Sequence, residues 1–379
     1  MDLVIWLITP PNNMRNFLNE VKARWNFGQV IIIASHPIRD ERKKIGYSLD
    51  GITVDSFIVL DELENQVEFV ESFIDAHAKD IHVFGGLRND PAPIMYRYKR
   101  KYGSEAKIVA FTEKPALRSG SAFKRIMKRV GGQVIYRYIY RRAMKTVDGL
   151  FVVGSSGIES VRKYGWTKNN LFNFMYSDNV GASSFSRETV KKPVQFLYVG
   201  RFDYEMRGLD VLMKAFDMLN CEGWHLTLVG GYGTDSNEVI KWAESKDSVS
   251  YIGAWPADSV LENMRSYDVY VCPVKEDSWN GQINMAISAG LGVISTDQAG
   301  SDELVRASNA GVVIKGGDPA ELRAHIEEAI CDINIVDEWK TSAREYLCRI
   351  TADTVAEYFC DVLKGLYVSK SDSVSCPWL

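Results

Sequence analysis

The stretch VQFLYVGR, residues 194–201, predicts a buried β-strand that ends in a glycine-arginine turn. A polar loop, FDYEMRG at 202–208, comes next. It leads into LDVLMKAFDML at 209–219, where apolar residues recur with the period of an α-helix. A strand, a loop and a helix in this order form the repeating unit of a parallel α/β domain. This stretch therefore predicts an α/β fold whose ligands bind beyond the carboxyl ends of the strands.

The same unit recurs along the chain. We expect strands at 3–8, 30–34, 57–60, 81–84, 107–111 and 150–153, and again at 194–199, 225–229, 249–252, 269–274, 291–295 and 311–313. The fold class is thus two doubly wound, Rossmann-like domains, expected to face a central cleft. We expect a first domain at 1–177, a polar linker at 178–193, a second domain at 194–350 and a C-terminal helix and tail at 351–379. That helix has one apolar face and is expected to cross back to the first domain.

Composition narrows the function classes. The 379 residues are 46% hydrophobic and 25% charged, as in soluble globular proteins, which excludes a disordered or coiled-coil chain. The net charge of −4 argues against nucleic acid as a partner. The six cysteines form no close pair, which favours free thiols in a reducing compartment. The apolar start at 3–8 is expected to be a strand rather than a signal peptide, and no stretch reaches the ~20 apolar residues of a membrane span.

Two arginines follow the strand at 194–199. Arg201 lies in the turn after Gly200, and Arg207 precedes Gly208 and the next helix. Guanidinium groups give charged, bidentate hydrogen bonds to phosphate, and a helix N-terminus adds positive potential. The pair predicts a diphosphate clamp, with two solvated surface arginines as the alternative.

A second motif is PVKEDSWNGQINMAISAG, residues 273–290. It leaves a strand, places Glu276 and Asp277 side by side, and enters a helix of small residues near Gly281. Backbone N–H groups there could hold a phosphate, and the carboxylates could accept hydrogen bonds from sugar hydroxyls. The alternative is a helix cap beside an ordinary acidic loop.

Together these segments resemble the C-terminal half of GT-B glycosyltransferases of family 4, the glycosyl transferases group 1. The landmarks follow the family's order at 200–208, 228–233, 251–253, 273–290 and 299–303, and the resemblance covers about 194–330. It implies a nucleotide-diphosphate sugar as donor and retention of the anomeric configuration. It implies Arg201, Arg207 and Asp277 as catalytic residues and Gly200, Glu276, Trp279, Asn280, Gly281, Gln282, Asn284 and Glu303 as donor-binding residues.

The sequence departs from the family at the second of two spaced glutamates, which in the family holds the ribose hydroxyls. Counted from Pro273, the pair falls on Asp277 and Met285, and a thioether cannot bind a hydroxyl in this way. A shift by one residue would instead pair Glu276 with Asn284. Diphosphate binding is therefore the safer inference, and ribose recognition the weaker one.

No metal or cofactor is expected. The chain contains no Asp-x-Asp, the usual metal-diphosphate motif of the other main transferase fold, and its histidines and cysteines lack metal-ligand spacing. The arginines would then take the place of a cation.

In the first half, loops in the positions of the family's acceptor-side loops supply four candidates. These are His82, Gly85, Gly86 and Glu113. Residues 118–145 carry nine basic residues and no acidic one, interleaved with apolar residues. Such a segment favours peripheral contact with an anionic membrane, or else a core helix with a solvated basic side.

We expect a retaining, metal-independent hexosyltransferase acting on a hydroxyl of a glycan or lipid-linked acceptor, in the biosynthesis of polysaccharide or glycoconjugates. It would lie in the cytoplasm, with peripheral contact to the inner face of the membrane. The rival hypothesis is a non-catalytic GT-B partner subunit or nucleotide-sugar-binding module whose donor site has decayed at Met285.

Overall fold

The computed structural model describes residues 1–10, 14–43, 48–115, 122–177, 189–369 and 374–379, without the side chains of 41 and 122–130. The chain forms two compact units. One comprises Met1–Val180 and Thr351–Pro377, and the other comprises Gly181–Ile350 and Trp378–Leu379. Residues 178–188 of the expected linker lie outside the described residues.

The first unit is built on a parallel sheet with the strand order β3-β2-β1-β4-β5-β6-β7. Its strands are β1 (Leu3–Leu7), β2 (Val30–Ala34), β3 (Ser56–Val59), β4 (Ile81–Gly85), β5 (Lys107–Thr112), β6 (Gly149–Val153) and β7 (Leu171–Phe174). Its helices up to this point are α1 (Arg15–Arg24), α2 (Asp40–Lys43), α3 (Gln66–Ala76), α4 (Ala92–Tyr102), α5 (Ala122–Met144) and α6 (Ser155–Lys163). Central strands such as β1 and β2 are buried at every residue, because helices cover both faces of a parallel sheet.

The second unit contains a parallel sheet with the order β10-β9-β8-β11-β12-β13. Its strands are β8 (Val194–Arg201), β9 (Trp224–Gly231), β10 (Val249–Tyr251), β11 (Val269–Cys272), β12 (Gly292–Thr296) and β13 (Gly311–Ile314). Its helices are α7 (Leu209–Asp217), α8 (Ser236–Glu244), α9 (Val260–Met264), α10 (Gly281–Ser288), α11 (Asp302–Ser308), α12 (Pro319–Cys331) and α13 (Ile333–Tyr346). The predicted fold class of two Rossmann-like α/β domains is confirmed.

The last helix, α14 (Ala352–Lys364), belongs to the first unit although the second unit precedes it in the chain. Thr351 caps it by accepting a hydrogen bond from the backbone N–H of Thr354. Its ring of Phe359 packs against Phe17 of α1 at a centroid distance of 5.5 Å and against Phe151 of β6 at 5.1 Å. The predicted crossing of this helix back to the first domain is therefore correct.

Candidate functional site

The two halves of the second sheet meet at β8. From β8 the chain adds β9 and β10 on one side, and later β11, β12 and β13 on the other. The loops after β8 and β11 therefore diverge and leave a crevice at their carboxyl ends, which is where ligands of open α/β sheets bind. The predicted arginines follow β8 and the predicted carboxylates follow β11, so the topology brings the two motifs to one place.

Glycine 208 holds these two loops together. Gly208 has φ of +70°, and a Cβ at this position would lie 2.0 Å from the carbonyl oxygen of Pro273, so only glycine fits. Two backbone hydrogen bonds extend the contact, from the N–H of Lys275 and of Glu276 to the carbonyl of Met206, at 2.9 and 3.3 Å. The side chains on either side of this contact are therefore fixed relative to each other.

Across this contact the guanidinium of Arg207 forms an ion pair with Asp277. Both side chains are largely buried, with 23% and 16% of their surface exposed. Burial opposes the charge of Arg207, but the carboxylate outweighs burial and raises the pKa of Arg207. Asp277 also accepts the backbone N–H of Ser278 at 2.9 Å through its other oxygen.

Two ionisable side chains near this ion pair, Cys272 and Tyr198, are neutral. Burial raises the pKa of Cys272 to about 12 and raises the pKa of Tyr198 above its usual range. Neither the thiol nor the phenol therefore ionises at neutral pH. Asp277 is the counter-ion of Arg207 that the structure identifies.

Arg201 differs from Arg207 in its exposure and in its side-chain contacts. It is exposed at the end of β8, and among the described residues its side chain has no ion pair or hydrogen bond. Its backbone is held, because the hydroxyl of Tyr198 donates to its carbonyl at 2.8 Å. Arg201, without a side-chain partner among the described residues, thus ends the strand that Arg207, held by Asp277, follows.

Helix α10 begins beside the carboxylates. Asn280 caps it by accepting the N–H of Gln282 at 3.1 Å, and its amide donates to the sulfur of Cys272 at 3.3 Å. Asn280 is 6% exposed, so its side chain stabilises the helix rather than offering atoms to a ligand. Direct binding of the donor by Asn280 stays a prediction, and Gly281 is the exposed residue of this turn.

Two polar atoms near this helix start are buried without a partner among the described residues. They are Nε1 of Trp279 and Oε1 of Gln282. Buried polar atoms of this kind often mark a place where water or a ligand binds. Both residues were predicted from the sequence.

The remaining predicted residues lie on the same edge of the sheet. Asn284 is 2% exposed within α10, and Met285 beside it is half-buried. Glu303 is in the first turn of α11, and the loop before that helix packs on the loop after β11, because a Cβ on Gly300 would lie 2.2 Å from the carbonyl oxygen of Ser278. Glu276 is half-buried in the loop after β11.

Sequence reasoning missed Tyr232. It lies just after β9, next to Gly231, the residue that pairs with Arg201 in the sheet. Its φ of +56° is unusual for a large side chain, and its ring is 82% exposed. Strained backbone of this kind is often found at binding sites. The available signal was an aromatic residue between two glycines at a strand end.

The first sheet has its own crevice between β1 and β4, where its strand order reverses direction. Gly85 ends β4 and Gly86 follows it with φ of +138°, so both lie at this edge. Glu113 lies just after β5 and accepts a hydrogen bond from the hydroxyl of Tyr176 at 2.7 Å.

His82 does not lie at that edge. It is the second residue of β4 and is fully buried. Its Nδ1 accepts from the indole N–H of Trp6 at 3.0 Å, and its Nε2 lies 2.9 Å from the carbonyl of His77. Burial lowers the pKa of His82 to about 4, so the ring is neutral. The expectation that His82 is an acceptor-side residue is wrong, because it is a core residue.

A histidine that the sequence reasoning left aside lies at the carboxyl edge instead. His36 follows β2, and its Nδ1 is 2.7 Å from a carboxylate oxygen of Asp61, which follows β3. Its Nε2 is 3.8 Å from Asp90. Nearly half of the His36 side chain is exposed, so this histidine-carboxylate pair is open to a ligand.

One cluster has metal-ligand geometry within the described residues, formed by Asp2, His77 and Asp80. Its carboxylates already accept backbone N–H groups, from Gln29 to Asp2 and from Asp2 to Asp80. It lies at the opposite edge of the first sheet from the crevice, where β1 and β4 begin. These hydrogen bonds tie the cluster to the backbone at the starts of β1 and β2.

The basic segment at 118–145 forms α5 from Ala122 onward, and Arg118 lies outside the described residues. Tyr140 of this helix is buried in the core, whereas Val134, Ile135 and Tyr138 are exposed by 71%, 47% and 66%. The helix thus has a core side and a solvent side that is both basic and apolar. None of the helices among the described residues is long and apolar enough to cross a bilayer.

Comparison with known proteins finds similarity to glycosyltransferases. Residues 193–332 match the family model described as glycosyl transferases group 1. An uncharacterized glycosyltransferase of Methanocaldococcus jannaschii, MJ1069, is 21% identical over 175 residues. This match covers 45% of the chain and spans 44% of that relative's length.

Solved structures extend the likeness to both units. HepE of Anabaena in complex with UDP has a TM-score of 0.71 at 13% identity, covering 96% of this chain and all of that one. A glycosyltransferase of Rickettsia africae has a TM-score of 0.69 at 13% identity, with 98% and 99% coverage. At this identity the likeness establishes the fold, which is GT-B. The comparisons as a whole support a glycosyltransferase of the GT-B type.

Proposed function

We propose that this protein is a glycosyltransferase that moves a hexose from a nucleoside-diphosphate sugar to a hydroxyl group of a glycan or lipid-linked acceptor, with retention of configuration. The observation that carries this proposal is the arrangement at the β8–β11 crevice. There Arg207, held by Asp277, and Arg201, which has no side-chain partner among the described residues, follow β8, and α10 begins after the neighbouring β11. All of these residues lie within the part of the chain that matches group 1 glycosyl transferases.

The donor diphosphate would bind between these groups. Arg207 is oriented by Asp277 before the donor arrives, Arg201 can turn toward it, and the backbone N–H of Gly281 is accessible at the start of α10. Two guanidiniums can match the charge of a diphosphate. The structure of HepE in complex with UDP-glucose supports a nucleotide sugar as the ligand of this protein.

Catalysis would be mainly electrostatic. As the bond between the sugar C1 and the diphosphate oxygen breaks, negative charge grows on the leaving oxygen, and Arg201 and Arg207 stabilise it. The acceptor oxygen forms the new bond to C1 on the same face, and the leaving diphosphate takes the acceptor's proton. Asp277 has lone pairs left to orient a donor hydroxyl, since it uses one contact from each oxygen.

No metal ion is needed in this scheme, because the arginines supply the positive charge, and we propose no other cofactor. Glu276, Trp279, Gln282, Asn284 and Glu303 are proposed to contact the sugar or nucleoside. Tyr232 would stack on the nucleobase, since its ring is exposed and the residue follows Gly231, the strand partner of Arg201.

On the acceptor side we propose Gly85, Gly86 and Glu113, joined by the His36–Asp61 pair. The basic segment at 118–145 would bring the protein to the inner face of the cytoplasmic membrane, consistent with a lipid-linked acceptor in polysaccharide or glycoconjugate biosynthesis.

The test is release of nucleoside diphosphate from a panel of nucleotide sugars, with and without a chelator. We expect release with one base and one sugar, unchanged by chelation. Activity that is lost with the chelator and restored by a divalent cation would contradict the metal-free mechanism. Absence of release from every member of the panel, in the presence of acceptor, would contradict the transferase function.

Met285 favours one alternative, a GT-B protein that binds nucleotide sugars without turning them over. A half-buried thioether stands where the resemblance places a ribose-binding carboxylate. Met285→Glu, with Met285→Gln as the uncharged control, should tighten donor binding if the ribose pocket is otherwise intact. Donor binding without product in the wild type, followed by turnover in Met285→Glu, would favour the alternative.

A further inference from the structure

A groove of about 520 Å³ lies between α4 and α5 on the helical layer of the first unit. Its lining is dominated by four arginines and two tyrosines, which are Arg88, Arg97, Arg100, Arg142, Tyr96 and Tyr138. No carboxylate lines it. The groove is separate from the donor site, which belongs to the second unit.

Most of the positive charge of this groove has no acidic partner within the part of the chain that the structure describes. Toward α3, Arg97 pairs with Glu71 at 2.6 Å, and Lys101 pairs with Asp75. Among the residues described, no acidic side chain pairs with Arg88, Arg100 or Arg142. The flank of α4 that faces α3 is thus neutralised, whereas Arg100 of α4, Arg88 before it and Arg142 of α5 have no acidic partner among the described residues.

Part of the groove is already ordered. The guanidinium carbon of Arg142 lies 3.6 Å from the centre of the Tyr96 ring, and the hydroxyl of Tyr96 donates to the carbonyl of Leu87 at 3.1 Å. Stacking on a held ring fixes the plane of the guanidinium while leaving its N–H edges available. A planar donor edge of this kind suits bidentate binding to phosphate oxygens.

The rim of the groove identifies the source of the phosphate. Ile135 and Tyr138 line the groove and are 47% and 66% exposed, and Val134 beside them is 71% exposed. Ile135, Tyr138 and Arg142 are spaced by three and four residues and so share one face of α5. Exposed apolar side chains next to cations match an interface between phosphate headgroups and acyl chains.

We propose that this groove binds the phosphate headgroup of an anionic lipid. Arg88, Arg100 and Arg142 hold the phosphate oxygens, while Ile135 and Tyr138 contact the apolar region below the headgroup. The inference deepens the proposed function and rests on it only for its purpose, which is to hold the enzyme where a lipid-linked acceptor lies.

The experiment compares two double variants of equal charge. Arg100→Gln/Arg142→Gln removes two groove arginines, and Arg137→Gln/Arg141→Gln removes two exposed arginines of α5 that do not line the groove. The full-length chain, without nucleotide sugar, is sedimented with phosphatidylcholine vesicles with and without phosphatidic acid. Glycerol 3-phosphate is titrated separately as the soluble probe, and thermal unfolding checks that both variants fold.

We expect wild-type binding only to vesicles that contain phosphatidic acid, with the groove variant at least about tenfold weaker than the control variant. Equal weakening of both would overturn the groove, because a diffuse basic surface depends on charge alone. Binding to glycerol 3-phosphate but not to vesicles would overturn the assignment to a lipid. Binding of nucleoside diphosphate should be unchanged in both variants, so failure of the groove and failure of the donor site are distinguishable.

Discussion

Replacing Arg201 with glutamine should separate ligand binding from stability at the donor site. The side chain is exposed, and its loss breaks no ion pair or hydrogen bond among the described residues. Exposed substitutions of this kind usually change the free energy of unfolding by less than about 0.5 kcal/mol. The thermal midpoint of the variant should therefore match that of the wild type.

Binding should respond differently. A hydrogen bond between an arginine and a charged phosphate contributes about 1.5–3 kcal/mol, which corresponds to about ten- to a hundredfold in dissociation constant. We expect this loss in calorimetric titration with UDP, or with whichever nucleoside diphosphate binds the wild type best. Turnover should fall further, by about a hundredfold or more, because the leaving diphosphate carries more charge in the transition state.

Lys214→Gln is the control for a lost positive charge, since Lys214 is exposed on the neighbouring helix α7. It should leave affinity and turnover close to those of the wild type. If Arg201→Gln kept full affinity, or if Lys214→Gln weakened binding equally, Arg201 would not contact the diphosphate. The proposed clamp would then be refuted.

Three further outcomes are expected. Arg207→Gln should lower the free energy of unfolding by about 3 kcal/mol, because it leaves Asp277 charged and largely buried. In urea unfolding, the double variant Arg207→Gln/Asp277→Asn should lose less stability than the sum of the two single variants, and additive losses would contradict the ion pair. Burial lowers the pKa of His82 from 6.5 in the unfolded chain to about 4 in the folded chain. Acidification from neutral pH to pH 4 therefore protonates His82 in the unfolded chain first and lowers the free energy of unfolding by about 3 kcal/mol. His82→Gln should lose this pH dependence of unfolding, and an unchanged dependence would exclude His82 as its source. Tyr232→Gly should weaken nucleoside-diphosphate binding about tenfold, whereas Tyr232→Phe should retain the affinity, because the ring face and not the hydroxyl would stack on the base. Equal weakening of binding in both variants would argue against stacking.

The sequence predicted the sheets well for a physical reason. Strands covered by helices on both faces are continuous apolar runs, so β2 was predicted at its observed bounds and β1 and β12 within one residue. β7 was missed because it lies at the edge of its sheet and includes Asn173, so its apolar run is short. Edge strands bury less and therefore show a weaker pattern.

The candidate site was predictable in position and less so in detail. Parallel topology alone brings residues after β8 and β11 together, which placed Arg207 near Asp277. Which polar atoms are already used inside the domain depends on side-chain geometry that sequence spacing does not encode. Asn280 became a helix cap and His82 a core residue for this reason, and the exposure of Tyr232 was equally invisible.

Arg207 and Arg201 differ in how far they are ordered before the donor binds, and Asp277→Asn tests whether this difference matters for affinity. Arg207 is held by Asp277 before any ligand arrives, so binding through it requires little further ordering. Arg201 is exposed and must give up side-chain freedom of up to about 2 kcal/mol when it binds. Neutralising Asp277 removes the partner that orients Arg207, so donor affinity should fall even though both arginines remain. If affinity instead rose, Asp277 would be competing with the diphosphate for Arg207, and its role would be to oppose binding rather than to prepare it.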